Sequence, residues 1–447
     1  MIRAMNDRFA VLYPPHLETV KARHDKALAE TGYDHIIIFG GEIHIQFLDD
    51  TYYPFKVNPH FKAWVPVVDN PHCFIVYTPG EKPRLVYYQP VDYWYKPASA
   101  PSGYWTGHFD IRVIDSPEKA KEHFPKDRRS AFVGEANEVA QTLLSAGDAN
   151  PEALLNALHF ERSWKTDYEI ACLTEANVRG VRGHRAAAKA FREGKSEFEI
   201  HIDFLLHSSQ AEEELPYGNI VALNENASVL HYLNHLREQP GDLRYSFLID
   251  AGAQHHGYAS DITRTYARDE QGEFAKMIAA MDAMQQRLCS MAKPGINYID
   301  IHMAAHKEVA TILHDFDFVH GLDADAIVEK RISSTFFPHG VGHFLGLQVH
   351  DVAGFHQDRA GCIIAKPEGH PYLRLTRIID PRMVFTVEPG LYFIESLLAD
   401  LQKTENAKYV NWTKVDEFRK FGGIRIEDDI VVTNDGHVNL TREAFAS

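Results

Sequence analysis

The run "FLIDAGAQHHGYASDITRTY", residues 247–266, constrains the fold more than any other stretch of this chain. Phe247-Leu248-Ile249 is apolar enough for a buried strand, yet it ends on Asp250, and a second acid, Asp261, follows. The flanks read as strands, and Gln254-His255-His256-Gly257 has the composition of the turn between them. A turn centred between His255 and His256 sets Asp250 opposite Asp261. Directly opposed side chains share a face with Cβ atoms roughly 4.5–5.5 Å apart, where like charges destabilise. A shared cation would compensate two carboxylates so placed, and a one-residue slip would separate them. His255 and His256 are expected at the tip, without a catalytic task.

Three further stretches place charged or imidazole groups on strand-like apolar backgrounds: "FFPHGVGHFLGLQVHDVAG" (336–354), "VFTVEPGLYF" (384–393) and "FGGIRIEDDIVV" (421–432). Glu388 ends an apolar strand, and Pro389 stops regular pairing there. Ile424 and Ile426 share one face of the last run, and Arg425 and Glu427 the other. Together Asp250, Asp261, His343, Glu388 and Glu427 supply four carboxylates and one imidazole. Two divalent cations balance that charge, and oxygen-rich ligation suits manganese, with cobalt and zinc as alternatives. Such a pair can acidify a shared water and stabilise an oxyanion.

Other chemistries find less support. The formal net charge of −16 argues against nucleic-acid binding, which needs a basic surface. Gly340, Gly342 and Gly346 form GxGxxxG without a strand-to-helix opening, so they read as tight turns and not as a dinucleotide site. No HExxH, GxSxG or Walker A motif occurs. With 26 histidines in the chain, the histidines between 339 and 350 would mean little without the strand-borne acids.

At 447 residues two domains are expected. The first 110 or so residues mix β-type runs ("HIIIF", "CFIVY", "RLVYYQPV") with turn residues. The charged stretch "SPEKAKEHFPKDRRS" reads as helix and surface loop. Near 165 the texture changes: Thr166 and Glu169 have capping-box spacing before a long helical pattern that Gly194 ends, and Ser196 and Glu199 repeat the signal. Helical patterns follow at about 272–291 and 299–314, and the last 110 residues return to β-type runs. The expected class is α+β, with a smaller amino-terminal α/β domain (1–164) and a catalytic domain (165–447). No signal peptide or membrane-length apolar run is evident, so the cytoplasm is the expected location and no membrane partner is expected. Cys73, Cys172, Cys289 and Cys362 lack metal-type spacing and are expected reduced and buried.

The strand-borne motifs, in this order, resemble the metallopeptidase family that includes methionine aminopeptidase and prolidase, whose catalytic domain has the pita-bread fold. The amino-terminal "FLDDTYYPFKVNPHFKAWVPVVDNPHC" and "PVDYW" narrow the resemblance to bacterial Xaa-Pro dipeptidases and their organophosphorus acid anhydrolase relatives. The resemblance implies a dinuclear metal centre on Asp250, Asp261, His343, Glu388 and Glu427. It places His231 and His350 beside the substrate, Arg425 and Arg377 at its carboxylate, and His339 near the metals as a proton-handling group. Tyr217, Tyr298 and Val349 would line the leaving-group pocket. It also implies a homodimer in which Asp49 and Trp94 reach a partner's site. From the residues alone, Arg425 has a second reading as the partner of Glu427, and His231, after "ASVL", as a core histidine.

The expected activity is hydrolysis of dipeptides ending in proline by a metal-bridging hydroxide, with Glu388 or a nearby histidine passing a proton to the leaving nitrogen. An organophosphorus triester hydrolase and a non-catalytic metal-binding module on the same fold are the alternatives. The module, like a metal-independent creatinase-like enzyme, should have lost ligands, and all five are present.

Overall fold

The computed structural model describes residues 2–126, 129–135 and 148–447, with side chains from residue 8 onward; two positions of the charged stretch 116–130 thus lie outside the described residues. The chain divides into two compact units, one of Met1–Cys172 with His256–Tyr258 and His356–Cys362, the other of Leu173–His255, Ala259–Phe355 and Ile363–Ser447.

In the first unit, His35–Phe39 is buried at every position, as suits a central strand that is apolar on both faces. It pairs antiparallel with Phe74–Tyr77 and parallel with Ser130–Val133. Arg84–Tyr88 and Asp110–Ile114 extend the mixed sheet on one side, and Asp148–Ala149 on the other. Phe39, Phe74 and Phe132 form its core, each worth roughly 1.5–3 kcal/mol on burial. The β-type runs are strands as expected. The helix Ile2–Thr31 that precedes them was not anticipated, because Pro14 and Pro15 lie inside it.

In the second unit, Ser246–Asp250 is the middle strand of an antiparallel sheet between Ile220–Leu223 and Thr263–Ala267. A second sheet orders Val384–Val387, Asp428–Val432 and His437–Asn439, and Gly390–Tyr392 pairs with Gly423–Arg425. A bridge between Thr263 and Glu427 joins the strand systems. The helix Glu273–Ser290 buries Phe274, Met277, Met281, Met284 and Leu288, the i, i+3, i+4 face of an amphipathic helix. Antiparallel strands with packed helices are the α+β architecture expected. Both capping boxes form: Thr166 N–H donates to Glu169 at 2.8 Å and Ser196 N–H to Glu199 at 2.8 Å. Gly194, at φ 92°, ends the helix Asp167–Glu193.

Two expectations need correction. The hairpin turns on His256 and Gly257, at φ 49° and 85°, so Asp250 faces Thr263 and not Asp261. A turn centred one residue later moves the register by two, which preserves the face: Asp261 remains on the side of Asp250 as its diagonal neighbour. Cys362 is exposed, whereas the other three cysteines are buried. Among the described residues no helix is long and apolar enough to cross a membrane.

Candidate metal centre

Asp250 ends one strand, and Asp261 lies two residues before the Thr263 that faces it. Between the two acids sits the Tyr217 hydroxyl, 2.8 Å from Asp250 Oδ1 and 2.7 Å from Asp261 Oδ1. Its single proton can serve one carboxylate at a time. Burial, then the charges of Asp250 and Asp261, push the phenol well above its ordinary range, so it stays neutral and cannot offset both acids.

His343 enters from the loop after Pro338, with Gly342 packed so closely against the Thr386 carbonyl that no side chain fits there. Its Nδ1 lies 3.0 Å from the Phe344 carbonyl, which can only accept, so Nδ1 carries a proton and Nε2 is the nitrogen turned toward the acids and left for a metal. That Nε2 is 3.4 Å from Asp261 Oδ2 and 3.6 Å from Glu388 Oε1. Glu388 directly follows the strand Val384–Val387. Glu427 accepts at Oε2 from Thr263 Oγ1 at 2.7 Å, while its Oε1 is buried without a hydrogen-bond partner among the described residues. Asp261, His343 and Glu427 each bring a ligand atom within 4.8 Å of the others.

The electrostatics describe a site short of positive charge. Burial raises Glu388 to about 7 and, reinforced by Asp261 and Glu388, Glu427 well above the carboxylate range. Burial also raises Asp250. Against the cost of its own burial, the Asp261 hydrogen bond and the Glu388 charge lift His343 to about 9. Without metal, His343 is thus protonated and stands in for a cation. An orphaned buried carboxylate oxygen, crowded acids and an imidazole with fixed tautomer fit divalent cations.

Arg425 does not pair with Glu427 as expected. Its guanidinium donates to Asp250 Oδ2 at 2.7 Å, Tyr392 Oη at 2.9 Å and Thr263 Oγ1 at 3.3 Å. Tyr392 lies 2.8 Å from His339 Nε2, and His339 Nδ1 lies 2.8 Å from the Gly340 carbonyl. Because that carbonyl only accepts, His339 is protonated at Nδ1 and takes the Tyr392 proton as acceptor at Nε2. Burial and then Arg425 lower His339 to about 3, so the ring is neutral.

The structure places the remaining expected residues unevenly. His350 is exposed, its ring perpendicular to His343 at 4.3 Å. His231 is exposed in the loop after Asn224–Ser228, so the core reading fails. Val349 is half-buried. Arg377 is buried, its guanidinium 5.7 Å from the centre of the Phe344 ring. Tyr298 is wholly buried and donates to the Thr386 carbonyl at 2.7 Å, so it supports the strand that leads to Glu388 and does not present its hydroxyl to a pocket. Asp49 and Trp94 are exposed in the first unit. Sequence reasoning missed Thr263, Tyr392 and Asp429. Asp429, two residues beyond Glu427, accepts from the Asp261 backbone N–H at 3.2 Å and from Asn177 at 2.8 Å. Its strand parity with Glu427 was the available signal.

A cluster of buried and half-buried carboxylates with one imidazole, built on strand ends of an α+β domain, is the kind of site found in metal-dependent hydrolases. Residues 171–434 match the model of metallopeptidase family M24, and residues 11–160 that of the Xaa-Pro dipeptidase N-terminal domain. The chain is 51% identical to the Xaa-Pro dipeptidase of Pseudoalteromonas translucida over 98% of this chain and 99% of that one. It is 50% identical to the Xaa-Pro dipeptidase of Xanthomonas campestris pv. campestris, over 98% of each. Solved structures of E. coli aminopeptidase P share the fold. The form with the inhibitor Pro-Leu has TM-score 0.73 at 23% identity, and the zinc-substituted form with product 0.72 at 22%; both cover 96% of this chain and 95% of that one. The chain belongs to metallopeptidase family M24, in its Xaa-Pro dipeptidase branch.

Proposed function

We propose that the chain hydrolyses dipeptides with carboxy-terminal proline at two divalent ions, manganese in the cell, held by Asp250, Asp261, His343, Glu388 and Glu427. The observation that carries this reading is Oε1 of Glu427, without a partner among the described residues, in a cluster with buried Asp261 and half-buried Asp250 and Glu388, beside the nitrogen that Phe344 leaves to a metal on His343. The names of the relatives support the substrate class. When bound, the metal pair supplies an acidified, bridging hydroxide and charge for the developing oxyanion.

The chain's own residues do the rest. Arg425 holds Asp250 in place and, through Tyr392, orients the neutral His339. Exposed His231 and His350 meet the substrate, with Val349 at the leaving-group side and Arg377 as a more remote source of positive charge. An Xaa-Pro bond has no amide N–H, so recognition rests on the charged termini and the ring. Glu388 takes the proton released by the attacking water and passes it to the departing imide nitrogen.

Residues 165–447 form the catalytic domain of this reading, and 1–164 the amino-terminal domain. Homodimerisation is supported by exposed Phe47, Leu48, Val91, Tyr93 and Trp94, which gather apolar surface around Asp49 and Trp94. A cytoplasmic location agrees with four free cysteines. Hydrolysis of organophosphorus triesters is assigned as a side activity of the same nucleophile.

The test is hydrolysis of glycyl-proline, leucyl-proline, a proline-containing tripeptide and a phosphotriester by chelated enzyme, with and without manganese. Manganese-dependent cleavage confined to the dipeptides is expected, with slow triester turnover. Triester turnover without peptide cleavage would reassign the main activity, and metal uptake without any turnover would leave a binding module.

A further inference from the structure

His302 and His306 lie one turn apart on the helix Tyr298–Asp315, the spacing that puts two imidazoles on one face. His370, from the loop after Gly369, completes a trio whose nitrogens lie within 4.8 Å of one another. None of the three belongs to the carboxylate centre. His302 Nε2 is 2.9 Å from His370 Nδ1, and His306 Nδ1 is 3.2 Å from Ser333 Oγ. Where Ser333 Oγ accepts from His306 Nδ1, Nε2 keeps its lone pair, the arrangement in which an outer hydroxyl orients a metal ligand. His302 is buried, and its Nδ1 has no hydrogen-bond partner among the described residues. The three rings line a cavity of ≈ 20 Å³ together with Ser334, Tyr372 and His339. Tyr372 is 67% exposed, so the cavity has a route to solvent.

The chemistry of the donors narrows the ligand. Three neutral nitrogens with no carboxylate suit zinc, nickel or copper and poorly suit magnesium or manganese. Burial, followed for His302 by the neighbouring His306 and His370, lowers His302 to about 2 and His306 to about 3, so both rings are in the metal-binding form at neutral pH. We infer that His302, His306 and His370 form a second metal site that binds a zinc-class transition-metal ion, separate from the carboxylate centre.

Zinc per chain would be counted after equilibrium dialysis of the full-length protein. The wild type should hold one zinc more than His370→Gln. Asp261→Asn/Glu427→Gln, which disables the carboxylate centre, should retain one zinc, lost when His370→Gln is added. Manganese uptake by the wild type and His370→Gln should be equal. Equal zinc in the wild type and His370→Gln would overturn the inference, as would no zinc in the carboxylate variant. Should His370→Gln not fold, cobalt(II) added to the carboxylate variant still decides, since all three histidines remain. Intense visible bands of a four-coordinate ion support the site, and the weak spectrum of the hydrated ion refutes it.

Discussion

Glu427 and Asp428 are adjacent, both buried, and treated in opposite ways. Asp428 accepts from Arg264 at 2.6 Å, Arg442 at 2.7 Å, Asn439 at 2.8 Å and Gln285 at 3.1 Å. Despite its burial, the two arginines hold it down at about 2. Glu427 has one hydroxyl and a bare oxygen, and is pushed up. Successive side chains on a strand face opposite sides, so one residue's step moves from a fully compensated ion pair to a site that lacks its cation. The chain can neutralise a buried acid with arginine when stability alone is at stake. Where it does not, the missing charge marks chemistry.

Substitutions and titrations would break or sharpen this contrast. Asp261→Asn should lower turnover by about 10³-fold or more, equivalent to ~4 kcal/mol of transition-state stabilisation, with an unchanged circular dichroism spectrum. Full activity would remove Asp261 from the ligand set. Asp428→Ala should destabilise the protein by roughly 3–5 kcal/mol in urea unfolding, because it leaves two arginines facing a buried gap. Glu427→Gln should have the opposite sign in metal-free protein at pH 8, raising the unfolding midpoint while abolishing activity. A matching loss of stability in both variants would end the distinction.

Titration gives a smaller, directional effect. Glu388 moves from 4.5 to about 7 on folding and His343 from 6.5 to about 9, so the folded, metal-free chain binds more protons than the unfolded chain across these windows. Its stability should therefore fall as pH rises from 4.5 to 9, by up to roughly 1.4 kcal/mol per pH unit for each group titrating. Metal must displace these protons, so its affinity should rise over the same range, measurable by calorimetry; a flat profile would contradict the shared cause. The smallest effect is expected of Tyr217→Phe, which removes one shared proton between two acids. A loss of about 1 kcal/mol, close to fivefold in kcat/KM, is expected with the metal stoichiometry retained.

Much of the site was legible because strands alternate and acids seldom end apolar strands without cause. Asp250, Asp261, Glu388 and Glu427 could be read from that pattern, and both capping boxes from their spacing. The hairpin register could not be settled, since His256 adopting a positive φ before Gly257 is one of two near-equivalent turn placements. The helix through Pro14 and Pro15 was hidden because local rules oppose it and packing against Glu152–Arg162 overrides them.

By itself, the sequence determined which residues carry charge onto buried strands and where the principal helices of the second unit begin and end, because periodicity and capping are local. Tertiary structure alone decided which charges meet. Arg425 turns to Asp250 and Tyr392 instead of Glu427, Asp429 reaches the backbone of Asp261, and His370 joins two histidines 64 and 68 positions earlier. These pairings depend on how distant strands and loops are brought together, and no local pattern encodes the distance between them.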